Sequence, residues 1–310
     1  MSFLRSCLHM LWMLVTVIPW GIIMVVCSLW IRGKPLWWMA VRWLGWAIGG
    51  ARVILGIQTR VIGYDNLPVG QTSPAILLVK HQSTFETFLM PTLMPHPLAY
   101  VFKKELLYVP FFGWAMGRLD MIHIDRNLRA KAFNKVVAQG KVLLAQGIWI
   151  IMFPEGTRIP RGHQGTYRTG GTRLAIETGA PVIPIAVTSA KCWPRKAFLK
   201  TPGVVEVSIG KPIPSAGRTP EDLMREVEQW IEAEMRRLDP EAYLPATNAL
   251  PKMALNAAPD TAHNGAQISA HSAAHSAAQK TPLNRPQTVA PPPEQGADKV
   301  PAPLDATLSP

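Results

Sequence analysis

Ala75-Ile-Leu-Leu-Val79-Lys80-His81-Gln82-Ser83-Thr84-Phe85-Glu86 is the stretch that decides how the chain is organised. The apolar, branched-rich run 75–79 reads as a short strand, and Ser83-Thr-Phe-Glu86 reads as the capping box of a helix start. A histidine between a strand's exit and a helix's first turn stands where α/β folds place their working residues.

Similar apolar runs recur after it, at residues 98–102, 119–124, 148–153, 181–187 and 204–209. Helical patterns fall between several of them. Residues 127–146 space Leu128, Ala132, Val136 and Phe133, Val137, Leu144 along one side of a helix, with Arg129, Lys131, Lys135 and Lys141 elsewhere. Thr219-Pro220-Glu221-Asp222 supplies a cap, a first-turn proline and a capping carboxylate, and Leu223, Val227, Trp230, Ile231 and Leu238 continue as one stripe. Strands alternating with helices predict an α/β domain with a mixed, largely parallel sheet flanked by helices. Strand order is not contained in such a pattern.

The amino end is different. Residues 1–60 hold six basic side chains, no acid and seven of the eleven tryptophans of the 310-residue chain. Cys7–Ile31 is an apolar run long enough for a hydrocarbon core of ~30 Å, with Pro19 near its middle. Leu36–Leu55 is apolar too, but Arg42 and Arg52 interrupt it and Trp37, Trp38, Trp43 and Trp46 enrich it, which places it at the headgroup level rather than across the bilayer. The expectation is an N-terminal membrane helix or helical hairpin over residues 1–56, an α/β domain over 57–245 and a tail over 246–310. Residues 251–310 contain 14 Ala, 10 Pro and no aromatic residue, too little apolar surface to offset the entropy of ordering, so the tail is expected to be disordered.

The net charge of +12 asks for an anionic partner, and it is unevenly spread. Residues 61–218 carry 19 basic against 8 acidic side chains, residues 219–250 carry 3 against 8, and the tail is neutral. No G-x-G-x-x-G, P-loop or G-x-S-x-G is present, which disfavours the usual nucleotide-dependent and serine-hydrolase chemistries. Three cysteines and no C-x-x-C pair point to neither a disulfide scaffold nor a zinc site, and no metal is expected. No nucleic-acid reader motif accompanies the charge, so no nucleic-acid partner is expected.

If His81 lies in the loop and Glu86 in the first helical turn, the carboxylate reaches back to the imidazole, fixes its tautomer and makes the other nitrogen a better base. The competing reading leaves Glu86 as a helix-start acceptor only, and spacing alone does not separate the two. The second candidate follows the run 148–153: Pro154-Glu155-Gly156-Thr157-Arg158, where Arg158 offers a forked cation for phosphate. Arg126, Lys103 and Lys104 also sit at strand ends and are candidates for the same anion pocket.

His81-x4-Glu86, the segment Gly117–Arg126 ending Ile-Asp-Arg, Phe153-Pro-Glu-Gly-Thr-Arg158 and Ala180-Pro-Val-Ile-Pro-Ile185 stand in the order of the four motifs of the glycerolipid acyltransferases, and Tyr167-Arg168-Thr169-Gly170 is similar to a further Phe-Lys-x-Gly element. Over roughly residues 57–215 the chain resembles that family, most closely its bacterial 1-acyl-sn-glycerol-3-phosphate branch. The family usually has Asp where Glu86 stands.

The resemblance implies acyl transfer from a thioester, acyl-CoA or acyl carrier protein, to the sn-2 hydroxyl of lysophosphatidate, giving phosphatidate. His81 would be the base and Glu86 its orienter. Arg158 would hold the acceptor phosphate on a loop shaped by Glu155, Gly156 and Thr157, assisted by Arg126 and Lys104, with Pro181, Ile183 and Pro184 supporting the acyl site. No cofactor beyond the acyl donor is implied. Together with the anchor it implies an inner-membrane protein with its catalytic domain on the cytoplasmic face, in contact with membrane lipids. A different lysolipid acceptor (another lysophospholipid, a lyso-ornithine lipid) or glycerol 3-phosphate would keep the same chemistry. An anionic-lipid binding protein without turnover would have no use for the His81/Glu86 pair.

Overall fold

A computed structural model describes residues 1–68, 70, 73–124 and 129–243, with residues 129–132 as backbone only. Arg126 and the tail lie outside the described residues. Helices α1 (Ser2–Cys27) and α2 (Lys34–Gly50) form an N-terminal hairpin, and one π-helical turn, Ala51–Leu55, carries the chain into the sheet domain. The strands are β1 (Ile57–Ile62), β2 (Ile76–Val79), β3 (Leu98–Lys103), β4 (Ile122–Ile124), β5 (Trp149–Met152), β6 (Val182–Val187) and β7 (Gly203–Ile209). The helices between and after them are α3 (Phe85–Leu93), α4 (Phe112–Met116), α5 (Arg129–Ala145), α6 (Gly170–Thr178) and α7 (Pro220–Leu238).

The seven strands form one sheet in the order β1-β7-β6-β2-β5-β3-β4. Every neighbouring pair is parallel except β6 with β7. The mixed, largely parallel sheet expected from the alternation is therefore present. The five central and distal strands run one way, and the β7/β1 pair runs the other.

Strand alternation divides the core in two. Leu77 and Val79 of β2 face a cluster with Trp37, Leu55, Phe85, Leu89 and Ile151, which α2 and α3 cover. Ile76 and Leu78 face Val136, Leu143, Leu174, Leu223 and Ile231, supplied by α5, α6 and α7. Each such side chain, removed from water, contributes roughly 1.5–3 kcal/mol. The α7 stripe meets this second face as its spacing predicts, with Trp230 only half-buried, and Thr219 Oγ1 accepts the Asp222 N–H at 3.1 Å to cap it.

The hairpin is tied by tryptophans. The Trp20 indole donates to Met39 O at 3.0 Å, Trp12 to Trp46 O at 3.1 Å, and Trp43 to Thr16 Oγ1 at 3.2 Å. Gly50 is needed where α2 crosses α1, because a Cβ there would stand 2.5 Å from the Trp12 ring. On α1, Ser6, His9, Gly21 and Met24 turn inward, while Leu4, Leu8, Leu11, Val15 and Ile22 line the opposite face and are exposed. That helix is long and apolar enough to cross a membrane. A continuous exposed apolar strip of this length marks a membrane-associated surface. Both ends of α1 touch the sheet domain: Lys200 N donates to Ser6 Oγ at 3.0 Å, and Gly21 lies against Phe111. The apolar amino end is thus a hairpin packed along the domain.

Candidate active site

β2 and β5 are adjacent and parallel, with Leu77 opposite Ile151 and Leu78 opposite Met152. The segments that leave them therefore emerge together at one edge of the sheet. One carries Lys80 and His81; the other carries Phe153 to Arg158. This is where the ends of parallel strands open a crevice.

His81 Nδ1 stands 2.9 Å from Glu86 Oε1. The same oxygen accepts the backbone N–H groups of Gln82 at 2.8 Å and Ser83 at 2.7 Å. An oxygen serving two N–H donors is an acceptor, so the imidazole donates from Nδ1 and presents Nε2 as its basic nitrogen. Glu86 is fully buried, and its Oε2 has no partner among the described residues. The two readings of Glu86 coincide: one carboxylate oxygen closes the helix start and orients the ring. The imidazole is stacked on Phe153, 3.9 Å between centroids and 16° from parallel, and its side chain keeps 15% of its surface exposed.

The backbone of His81 is held on both sides. Its N–H donates to Glu155 Oε2 at 2.9 Å, and its carbonyl accepts Ile159 N–H at 2.8 Å. Glu155 is fixed in turn by Lys80, whose Nζ lies 2.6 Å from Glu155 Oε1 and 2.6 Å from Glu232 Oε1 of α7. Tyr167 donates to that Glu232 oxygen at 2.8 Å. Burial raises the Glu155 pKa against the lowering pull of Lys80, and burial beside Glu155 and Glu232 raises that of the Tyr167 phenol. This ammonium–carboxylate cluster has no access to solvent, so breaking it would leave an uncompensated charge.

Glu155, expected on the phosphate-binding loop, is therefore turned inward and contributes by shaping that loop and holding His81. Thr157 is exposed, and Gly156 takes φ +64°, a conformation other residues adopt at a cost. Arg158 donates from one terminal nitrogen to Thr84 Oγ1 at 2.8 Å, which sets its guanidinium beside the His81 loop. A Cβ on Gly156 would lie 3.6 Å from Arg168 Nε, so a second guanidinium borders the same loop. Lys104 is exposed at the end of β3, where, with burial and Lys135, it lowers the pKa of His123.

Pro181, Ile183 and Pro184 lie alongside β2. Pro181 O accepts Ile76 N–H at 3.0 Å, and Pro184 stands opposite Leu78. They do not line the apolar cavity of the domain. That cavity, about 140 Å³, is enclosed by α1, α2, α3, β3 and α4, with Thr87 and Phe88 one turn or less beyond Glu86 on its wall and Trp43, Tyr100, Ala115 and Met116 around it. Neither this cavity nor the Lys80–Glu155–Glu232 cluster follows from motif spacing. A lysine directly after a fully apolar strand run is the one sequence signal that pointed to the second.

A family model described as Acyltransferase matches residues 58–188. The chain is 41% identical over 202 residues to 1-acyl-sn-glycerol-3-phosphate acyltransferase of Pseudomonas aeruginosa, covering 64% of this chain and 77% of that protein. It is 29% identical over 175 residues to the human alpha form of that enzyme, covering 56% and 60%. The crystal structure of the Thermotoga maritima 1-acyl-sn-glycerophosphate acyltransferase has the same fold, with a TM-score of 0.64 at 24% identity over 77% of this chain and 98% of that one. The sequence comparisons identify an acyltransferase. The chain belongs to the 1-acyl-sn-glycerol-3-phosphate acyltransferase family.

Proposed function

We propose that the enzyme joins an acyl group from a thioester to the sn-2 hydroxyl of 1-acyl-sn-glycerol 3-phosphate, with His81 as base and Glu86 as its orienter. The observation that carries this reading is the 2.9 Å Nδ1–Oε1 contact, which leaves Nε2 as the basic nitrogen on the loop whose Thr84 holds Arg158. Nε2 takes the hydroxyl proton as that oxygen attacks the thioester carbonyl. The C–O bond forms, the C–S bond breaks, and His81 passes the proton to the departing sulfur. The step asks for no metal or cofactor beyond the acyl donor, which is acyl-CoA or acyl carrier protein.

Among the described residues Arg158 bonds only Thr84, which leaves Nε and one terminal nitrogen for a forked grip on the acceptor phosphate, with Arg126, Lys104 and the neighbouring Arg168 as assisting cations. The apolar cavity beyond Glu86 accepts acyl chain. Residues 1–56 act as the anchor and 57–245 as the catalytic domain. The anchor lies in the inner membrane with the domain on the cytoplasmic face, supported by the basic residues that follow α1. A donor and acceptor panel with purified protein in detergent tests the reading. Lysophosphatidate should be acylated in preference to acceptors lacking the phosphate, and Arg158→Ala should abolish that preference; equal use of neutral lysolipids by the wild type would refute it.

A further inference from the structure

The loop from Trp193 to Lys200 follows β6 at the catalytic edge of the sheet, and acyl transfer gives it no task. Its base is anchored. The Trp193 ring packs edge-on to His9, 5.3 Å between centroids, and against Phe85 at 6.0 Å; Thr201 N donates to Cys192 O at 2.9 Å, and Lys200 N to Ser6 Oγ at 3.0 Å. The loop is thereby pinned between the first turns of α1 and the start of α3, next to His81.

Its tip is not covered. Phe198 is 42% and Leu199 49% exposed, and the Phe198 ring lies 5.6 Å from that of Phe3, itself 64% exposed. These side chains continue the exposed apolar strip of α1 onto the sheet domain. Around them Lys191, Arg195 and Lys196 are exposed, and the Lys200 ammonium sits over the Trp193 and Phe198 rings at 4.8 and 5.2 Å. No acidic residue occurs between Glu177 and Glu206. Apolar side chains ringed by cations match a bilayer whose apolar interior lies beneath anionic headgroups. An acidic carrier protein would use the cations but has no need of an apolar tip continuous with α1.

We propose that residues 194–200 are a second membrane-contact element, in which Phe198 and Leu199 enter an anionic lipid surface beside Phe3 while Lys191, Arg195 and Lys196 sit among the headgroups. A hairpin alone sets depth and leaves the hairpin and the domain packed on it free to roll together about the hairpin's axis. A second contact beside the catalytic edge fixes the tilt and holds His81 at the level of membrane-borne substrate.

The test uses the full-length protein with Cys7→Ser and Cys27→Ser, labelled at Leu199→Cys with an environment-sensitive fluorophore. Phosphatidylcholine vesicles with phosphatidylglycerol and spin-labelled lipids should quench the label, and more weakly at high salt or without phosphatidylglycerol; an unquenched label in anionic vesicles overturns the proposal. The second arm rests on the acyl-transfer reading. Phe198→Ser/Leu199→Ser should raise KM for vesicle-borne lysophosphatidate about tenfold or more, from two lost apolar insertions, with unchanged turnover of a short-chain, monomeric one. A double variant that alters only KM for an acyl carrier protein donor would assign the surface to an acidic protein and overturn the proposal. Absence of activity with any acceptor would refute the acyl-transfer reading, and the quenching would still decide the membrane contact.

Discussion

Replacing Glu86 by glutamine removes one charge and almost nothing else. Its Oε1 accepts from His81 Nδ1, Gln82 N and Ser83 N, whereas Oε2 has no partner among the described residues. Two backbone N–H groups aimed at one position hold the amide oxygen of the Glu86→Gln side chain there and its NH2 at the vacant side. The imidazole keeps its tautomer, and the loss is electrostatic. A charge-assisted hydrogen bond is worth about 1 kcal/mol more than a neutral one of the same shape, and the ion pair formed when the ring takes the proton adds a similar or larger amount. A total of about 2–3 kcal/mol corresponds to a kcat lower by roughly 30- to 200-fold. KM for lysophosphatidate should change little, because the carboxylate is buried away from the phosphate loop. Steady-state acylation in detergent, with thiol release as readout, measures both constants. A kcat within threefold of wild type would refute the orienting role, as would a loss carried by KM alone.

Arg158→Ala should raise KM for the phosphorylated acceptor about 10- to 100-fold, the scale of a lost charge-assisted contact, and leave a phosphate-free acceptor untouched. Lys80→Met strands two buried carboxylates and should destabilise the domain by about 3–5 kcal/mol, read as a lower unfolding temperature, with Lys80→Arg recovering part of it. Ala115→Phe, on the wall of the apolar cavity, should shift preference toward shorter acyl chains with little effect on stability at saturating detergent. Burial raises the Glu155 pKa, so the folded chain holds that proton to higher pH than the unfolded one; its contribution to stability is full below the ordinary glutamate range and is lost as pH rises through the raised value. Glu155→Gln should therefore flatten the fall in unfolding temperature over that window relative to wild type.

Much of the fold was legible because buried strands and amphipathic helices write their periods into the chain. The six apolar runs became β2 to β7, and the Thr219 cap started α7 where its signature stands. β1 carries a weaker signal, although Ile57, Thr59 and Val61 alternate with Gln58 and Arg60. It is an edge strand, half exposed, and its pairing with β7 brings together residues almost 150 positions apart. The run 119–124 shortened to three residues because Leu119 and Met121 turn out of the ladder and join the wall of the cavity.

The candidate site was legible in part for a physical reason. His81 and Glu86 are close in sequence, and one helix turn fixes their geometry. The Arg158 and His81 loops meet because β2 and β5 are neighbours, which the sequence alone does not state. Lys80, Glu232 and Arg168 join the site through tertiary contacts, and the cavity exists only once five separate elements have packed. Glu155 reads as a loop carboxylate in sequence and as a buried brace in three dimensions, because Lys80 supplies an interior partner for its charge.

The most direct measurement follows thiol release and phosphatidate formation together in purified wild type and His81→Ala. With lysophosphatidate and an acyl thioester, the wild type should yield thiol and phosphatidate in equal amounts. His81→Ala should lose about 10²- to 10⁴-fold in kcat, the range of a general base, and still unfold as the wild type does. Undiminished turnover in His81→Ala, or thiol release with no phosphatidate from the wild type, would contradict base-catalysed acyl transfer at this site.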